Sequence, residues 1–408
     1  MRILAVAPYL PYDDIRHAGG LYLLRHLHQL ALDGNDVSLI VPGTPEQLAH
    51  LHAAPAWLDV VAGPHVLQGR TRARVVSDAI YRRTMNVPPS PSAESLRSVT
   101  AAGLVRRARD ADLVELHWAE YARFASVLRR AGVSTAIAVV EHDVDLYAAH
   151  ARVRRFSTGY RRLLGTLTAP LVRRLEVRGL ARADVVLVFK RADEALIRQA
   201  GVRTRVHVIE PWLEHPEDDR QREPATVLFT GALWRRENED GAVWFLQEVW
   251  PLVIRDAPEA TFWLVGAEPT AYLRELADAT PGVEVIADVP DLLPFYLTAS
   301  LFVAPLFVPG GLKFKVPQAM VCGLPVVATT VAAEGVLDLA PPNTLLTVTN
   351  DPVEMAASIT AAVNDPQRAS LVGQAAQQWS QQYYSFPHSI RRLLEVYTSL
   401  AGSRRRPP

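Results

Sequence analysis

Two lysines two residues apart, Lys313 and Lys315, follow the glycine pair Gly310 and Gly311 in the segment LFVAPLFVPGGLKFKVPQAMVCGLPVVAT, residues 301–329. Pro317 is tolerated only in the first turn of a helix, so a short helix is expected to begin near Val316 and to close at Gly323, with Pro325 just beyond. The two lysines then stand at or just before its N-terminus. Free N–H groups and the positive end of the helix dipole favour an anion there, and an ammonium adds a compact charge that fits a phosphate oxygen. The composition sharpens this: the chain of 408 residues has three lysines, Lys190, Lys313 and Lys315, against forty arginines. Lysine in this loop therefore argues for a specific anion-binding role.

Two further groups of residues invite chemistry. The strand Thr226 to Thr230 ends in Gly231, and Arg235 and Arg236 precede a helix expected to start with Asn238 as its N-cap and Glu239 and Asp240 in its first turn. Paired arginines can fork onto a diphosphate, or simply remain solvated. Glu141, His142 and Asp143 cluster where the strand Thr135 to Val140 ends. His142 there is either a functional group or a histidine bonded to its own loop. Asp143 and Asp145 have the spacing of a divalent-ion pair.

Positioning these residues requires strands that alternate with helices. Apolar runs at Ile3 to Ala7, Asp36 to Val41, Ala111 to Leu116, Thr135 to Val140 and Asp184 to Phe189 read as strands. A second cycle runs through Thr226 to Thr230, Thr261 to Val265, Val283 to Ile286, Leu301 to Pro305, Pro325 to Ala328 and Thr344 to Val348. Helical patterns lie between them, including Leu21 to Ala31 and Glu239 to Arg255. The segment Gly69 to Ser98, with Pro88, Pro89 and Pro91, reads as a long loop. The polar stretch Glu214 to Pro224 reads as a linker. Each half is thus an α/β doubly wound parallel sheet, whose ligands bind beyond the carboxyl ends of the strands.

Composition excludes other classes. Lys+Arg and Asp+Glu are both 43, which lacks the basic footprint of a duplex nucleic-acid binder. The single cysteine, Cys322, rules out an internal disulfide and reads as a small buried side chain in a reducing compartment. The start lacks a signal-peptide pattern, and Leu292 to Leu312 is too interrupted to span a bilayer, so a cytoplasmic protein is expected. Arg152 to Arg182 gathers nine arginines against one acid, Glu176, a formal charge of +8, interleaved with Leu163, Leu164, Leu167, Leu171, Val172 and Leu175. It is either a solvated helix face or a surface for an anionic membrane.

The stretches LFTGALWRRENEDGAVWFLQEVWPLV, ATFWLVGAEP, VEVIADVPDLLPFYLTASLFVAPL and GGLKFKVPQAMVCGLPVVATTVAAEGV resemble, in order and spacing, the donor domain of retaining GT-B-fold glycosyltransferases, the class holding sucrose-synthase-like, capsule and exopolysaccharide enzymes. The first half is similar more loosely, through the AGG loop at Ala18 to Gly20 and VVEHDVD at Val139 to Asp145. The resemblance implies a GT-B architecture, two Rossmann-like doubly wound domains facing across a cleft. It implies an acceptor domain at 1–210, a linker at 211–224, a nucleotide-sugar domain at 225–384, a crossing helix at 385–400 and a tail at 401–408. It also implies residue roles. Lys315 and Arg235 would act in catalysis by neutralising the donor diphosphate, beside Arg236 and Lys313. Main-chain groups of Gly310, Gly311 and Leu312 would meet the sugar, Val289 the base and Gln318 a ribose hydroxyl. His142 would approach the transferred sugar with Asp143 steadying it, and Gly19 and Gly20 would let the acceptor loop come close. No cofactor or metal is expected, because arginines and lysines replace the ion.

This sequence departs from the family's paired glutamates, which fall at Gly310 and Gln318, and from its GRL arginine, replaced by Ala232. The implied reaction is transfer of a sugar from a nucleotide sugar to a hydroxyl of a glycan, a lipid-linked or a small-molecule acceptor. The departures support the alternative of a catalytically inactive relative that binds a nucleotide sugar or partners an active transferase. An epimerase of the same fold fits the glycine-lysine segment less well.

Overall fold

The computed structural model describes residues 1–12, 15, 18–64, 93–142, 144–213, 215–216 and 221–404. The chain divides into two compact units, one made of residues 1–210, 310–312 and 390–408, the other of 211–309 and 313–389.

In the first unit the strands are β1 (Arg2–Val6), β2 (Asp36–Val41), β3 (Asp59–Ala62), β4 (Leu113–His117), β5 (Ala136–Glu141), β6 (Val185–Val188) and β7 (Arg205–Val208). They form one sheet in the order β3-β2-β1-β4-β5-β6-β7, every pair parallel. The inner strands are buried along nearly their whole length, which is why their sequences are continuous apolar runs rather than alternating ones. The edge strands β3 and β7 carry half-exposed residues and polar side chains, so they lack the apolar run and escape a sequence reading.

The second unit repeats the plan with β8 (Thr226–Ala232), β9 (Thr261–Ala267), β10 (Val283–Ala287), β11 (Leu301–Ala304), β12 (Val326–Ala328) and β13 (Thr347–Val348), in the order β10-β9-β8-β11-β12-β13. All pairs are again parallel. β8 and β9 run on past the expected Thr230 and Val265, because Gly231 and Gly266 lie opposite each other and a Cβ on Gly266 would stand 1.7 Å from the Gly231 carbonyl oxygen. In each sheet the first strand is flanked on both sides by later ones, so the strand order reverses beside β1 and beside β8. A crevice at the carboxyl ends of the strands opens at such a reversal.

Several helices differ from expectation. Gly19 and Gly20 form the first turn of the helix Ala18–Leu32 instead of a loop ahead of it. Most of the expected loop Gly69 to Ser98 lies outside the described residues, but Ala93–Ala101 is helical. The helix expected at Glu239 begins earlier, at Arg236, passes through a π turn at Phe245–Val249 and ends at Asp256. Pro251, which has no N–H to donate, follows that wide turn and accounts for it. The helix Lys315–Val321 ends at Cys322, with Gly323 at φ +73° closing it. Among the described residues no helix is long and apolar enough to cross a membrane.

The helix Arg236–Trp244 sits directly on the loop that follows β11: a Cβ on Gly241 would meet the Pro305 carbonyl oxygen at 2.1 Å. Gly241→Ala must therefore push the helix off the sheet. We expect a loss of about 2 kcal/mol of stability in urea unfolding, the scale of overpacking a close contact.

Candidate functional site

The reversal beside β8 and β11 is where the lysine segment lands. Lys315, the first residue of its helix, is partly buried; its Nζ donates to Asn238 Oδ1 at 2.8 Å and lies 4.3 Å from the centre of the Phe229 ring. Among the described residues no carboxylate stands within ion-pair distance of it. Gly231, ending the apolar part of β8, makes room, since a Cβ there would sit 2.8 Å from Nζ and 3.0 Å from the Asn238 amide. Burial, and then Lys313 and Arg235, push the Lys315 ammonium well below the usual lysine range, against the pull of Glu237. Three cations thus act together with one acid opposing them, an arrangement whose excess positive charge a bound anion would offset. Lys190 is the contrast: both it and Asp193 are buried, and they pair at 3.4 Å.

Other expected residues sit as follows. Asn238 is not the N-cap; Arg235 takes that position, and the Asn238 amide donates to the Ala232 carbonyl at 2.9 Å while its oxygen holds Lys315. Arg235 and Arg236 are both exposed. Gln318 donates to the Cys322 sulfur at 3.6 Å, and burial pushes the Cys322 thiol up to about 11. Val289 follows β10 and packs against the core of the second unit. Gly310, Gly311 and Leu312 are buried and count with the first unit.

The first unit carries its own cluster at the reversal between β1 and β4. Glu115 and His117 alternate along β4 and so share a face. Both are fully buried, an unusual place for a carboxylate and an imidazole. The Glu115 carboxylate accepts from His117 Nε2 at 3.1 Å, from His26 Nε2 at 3.1 Å and from the Tyr397 hydroxyl. Burial alone would raise its pKa, but attraction to His26 and the histidine hydrogen bonds outweigh this and hold it well below the usual carboxylate range. His117 is pushed down by burial, against the pull of Glu115, and so stays neutral. Its Nδ1 lies 3.2 Å from Nε2 of the buried His142. The His142 ring stacks on Trp118, centroids 3.8 Å apart and planes 6° from parallel. Tyr22 and Phe189 close two more sides at 5.2 and 5.5 Å.

The cluster of Glu115, His117, Trp118, His26 and Tyr397 is not among the residues the sequence points to; the trace it leaves there is a Glu-x-His inside an otherwise apolar strand. His26, Glu115 and His117 offer ligand atoms all within 4.8 Å of one another, a set that could also hold a metal ion. Asp143 lies outside the described residues, as does the side chain of Asp145.

Two parallel-sheet Rossmann-like units, each with polar residues gathered where its strand order reverses, have the form of GT-B glycosyltransferase structures. Residues 224–365 match the family model described as Glycosyl transferases group 1. Sucrose-phosphate synthase of Thermosynechococcus elongatus is similar over 99% of this chain and 100% of its own, with a TM-score of 0.75 and 17% identity. HepE of Anabaena in complex with UDP is similar over 98% of this chain and 100% of its own, with a TM-score of 0.68 and 16% identity. A Staphylococcus aureus TarM variant in complex with fondaparinux, alpha-GlcNAc-glycerol and UDP is similar over 97% and 100%, with a TM-score of 0.68 and 10% identity. An uncharacterized 44.6 kDa protein of the cps region of Klebsiella pneumoniae is 28% identical over 158 residues, a match covering 36% of this chain and 40% of that one.

The depressed Lys315 gives a test of anion binding. An anion favours the charged ammonium, so binding raises its pKa and draws in a proton wherever the pH lies between the free and bound values. Titration calorimetry of sulfate, which does not itself titrate in this range, in buffers of different ionisation enthalpy is expected to show uptake of up to about one proton, growing as pH rises toward alkaline values. Lys315→Met is expected to abolish it.

Proposed function

We propose that this chain is a retaining glycosyltransferase that moves a sugar from a nucleoside diphosphate to a hydroxyl of a glycan, a glycolipid or a small natural product, without a metal ion. The observation that carries this reading is Lys315, a partly buried ammonium with an amide and an aromatic ring around it, two further cations and one more distant acid, Glu237, acting on it, and, among the described residues, no carboxylate within ion-pair distance. A diphosphate supplies the missing charge. In support, HepE has been seen with UDP and with UDP-glucose, and TarM with UDP and sugar ligands.

In the proposed reaction the bond from the anomeric carbon to the diphosphate oxygen breaks, and a bond to the acceptor oxygen forms on the same face. The acceptor's proton passes to the leaving phosphate. Negative charge builds on the diphosphate, so fixed cations are the effective catalysts: Lys315 and Arg235, with Lys313 and Arg236 binding the donor. Main-chain N–H groups of Gly311 and Leu312 meet the sugar, Gln318 a ribose hydroxyl and Val289 the base. His142 approaches the sugar being transferred.

One observation favours a second reading, a nucleotide-sugar binder without turnover: Gly310 has no side chain, and Gln318 is engaged with Cys322. A panel of nucleotide sugars, assayed for slow donor hydrolysis and for transfer, decides between them. Turnover of any donor rejects the binder, whereas tight binding without turnover rejects the transferase. Lys315→Ala is expected to lower nucleoside diphosphate affinity about 10- to 100-fold, the cost of one or two charge-assisted hydrogen bonds. Unchanged affinity overturns the diphosphate assignment.

We also propose that the helix Gly159–Leu180 brings the protein to the inner, anionic face of a cytoplasmic membrane. It exposes Leu163 and Leu167, one turn apart and more than 60% exposed, together with Arg162, Arg173, Arg174 and Arg178. Such a face suits a leaflet of anionic lipid. Flotation with phosphatidylserine liposomes at low salt is expected to carry the protein up, and replacement of Leu163 and Leu167 by serine to leave it in solution.

A further inference from the structure

The cluster around Glu115 contains more order than packing requires. A carboxylate accepts hydrogen bonds and donates none. His117 must therefore place its ring hydrogen on Nε2, 3.1 Å from Glu115 Oε2. A neutral imidazole has only one such hydrogen, so His117 Nδ1 bears a lone pair. The neighbour of that lone pair, 3.2 Å away, is His142 Nε2, which must then be the donor. Each tautomer is dictated by the one before it, starting from Glu115.

The surroundings hold this chain in place. His26 donates its own Nε2 hydrogen to Glu115, and its Nδ1 lies 3.4 Å from the Tyr22 hydroxyl. Burial, then Glu115, pushes the Tyr22 and Tyr397 phenols up, so both keep their hydrogens as donors. Trp118, next in sequence to His117, adopts φ +70°, a left-handed backbone conformation that bulky residues rarely take. That conformation accompanies an indole lying flat on the His142 ring.

We propose that Glu115 and His117 are positioning residues for His142, fixing it as the Nε2–H tautomer so that Nδ1 is the nitrogen offered as acceptor to a hydroxyl of the transferred sugar. The second half of this statement rests on the transferase reading given above; the first half does not. An amide at position 115 can donate as well as accept, so Glu115→Gln lets His117 reverse and His142 with it. His117→Phe removes the acceptor outright.

The test is a long-range proton–nitrogen correlation spectrum of the full chain labelled with ¹⁵N-histidine, read beside kinetics with a donor found in the panel. Expected is an Nε2–H tautomer for His142 in the wild type and in Tyr397→Phe, which removes one donor from Glu115 but leaves the path to His142 intact. In Glu115→Gln and His117→Phe the His142 signals are expected to move toward Nδ1–H or a mixture. In both variants kcat is expected to fall at least about tenfold, with the donor KM within about twofold, as loss of a tautomer slows a histidine without unseating the substrate. An Nδ1–H or doubly protonated His142 in the wild type overturns the proposal, as does a tautomer that neither variant moves. Stoichiometric transition metal in the purified chain, lost in Glu115→Gln, also overturns it by making the cluster a metal site. Tautomers that move while kcat does not remove the positioning role. If the wild type turns over no donor, the transferase reading fails, and the spectrum still decides the tautomer.

Discussion

The polar groups gathered at the two strand-order reversals are constrained by sheets whose inner strands are buried along nearly their whole length. A parallel strand covered by helices has no exposed side on which to carry a functional group, so chemistry is pushed to the strand ends, and there to the places where strand order reverses. The first unit has one such place beside β1 and β4, and the second has one beside β8 and β11. Both are occupied by side chains of types that protein interiors ordinarily exclude. In the second unit the occupant is a lysine with no carboxylate within ion-pair distance among the described residues; in the first it is a carboxylate with three donors. The two solve opposite electrostatic problems. The lysine has two cations and one acid acting on it, whereas Glu115 is satisfied from within by three donors.

The sequence makes the repeated α/β plan and its inner strands legible because those strands are unbroken apolar runs. Edge strands β3 and β7 are not, since half their residues face water and the apolar signal is diluted. Lys315 stands out because lysine is rare in this chain. Its partners Asn238 and Phe229 do not, because a residue that meets another some 77 positions away leaves no local pattern. Asn238 illustrates the difficulty: its type is that of a helix cap, and the fold uses it as a lysine ligand instead. His142 is visible as a histidine at a strand end, but its ring neighbours His117 and Trp118, at and just after the end of β4, lie some 25 positions away in sequence.

The glycines of the second unit show how closely the sheet and the site are joined. Gly231, Gly241 and Gly266 each lie against another backbone or against Lys315. The carbonyl of Pro305, just after β11, bears on the helix that supplies Asn238. Small residues here set how near the elements can come, and that distance brings Asn238 and the ring of Phe229 within reach of the same ammonium.

The hydroxyl of Tyr397 on Glu115 also bears on how the protein is made. Tyr397 belongs to the helix Phe386–Arg404, where Arg392 pairs with Glu210 at 2.7 Å. The first unit therefore contains a buried carboxylate, one of whose donors lies 282 positions later in the sequence. On the ribosome its sheet can assemble early, but its polar centre stays incomplete until synthesis has passed residue 397 and the final helix has emerged. By then almost all of the second unit has been made. The unit whose strands are made earlier is thus the later of the two to complete its polar centre.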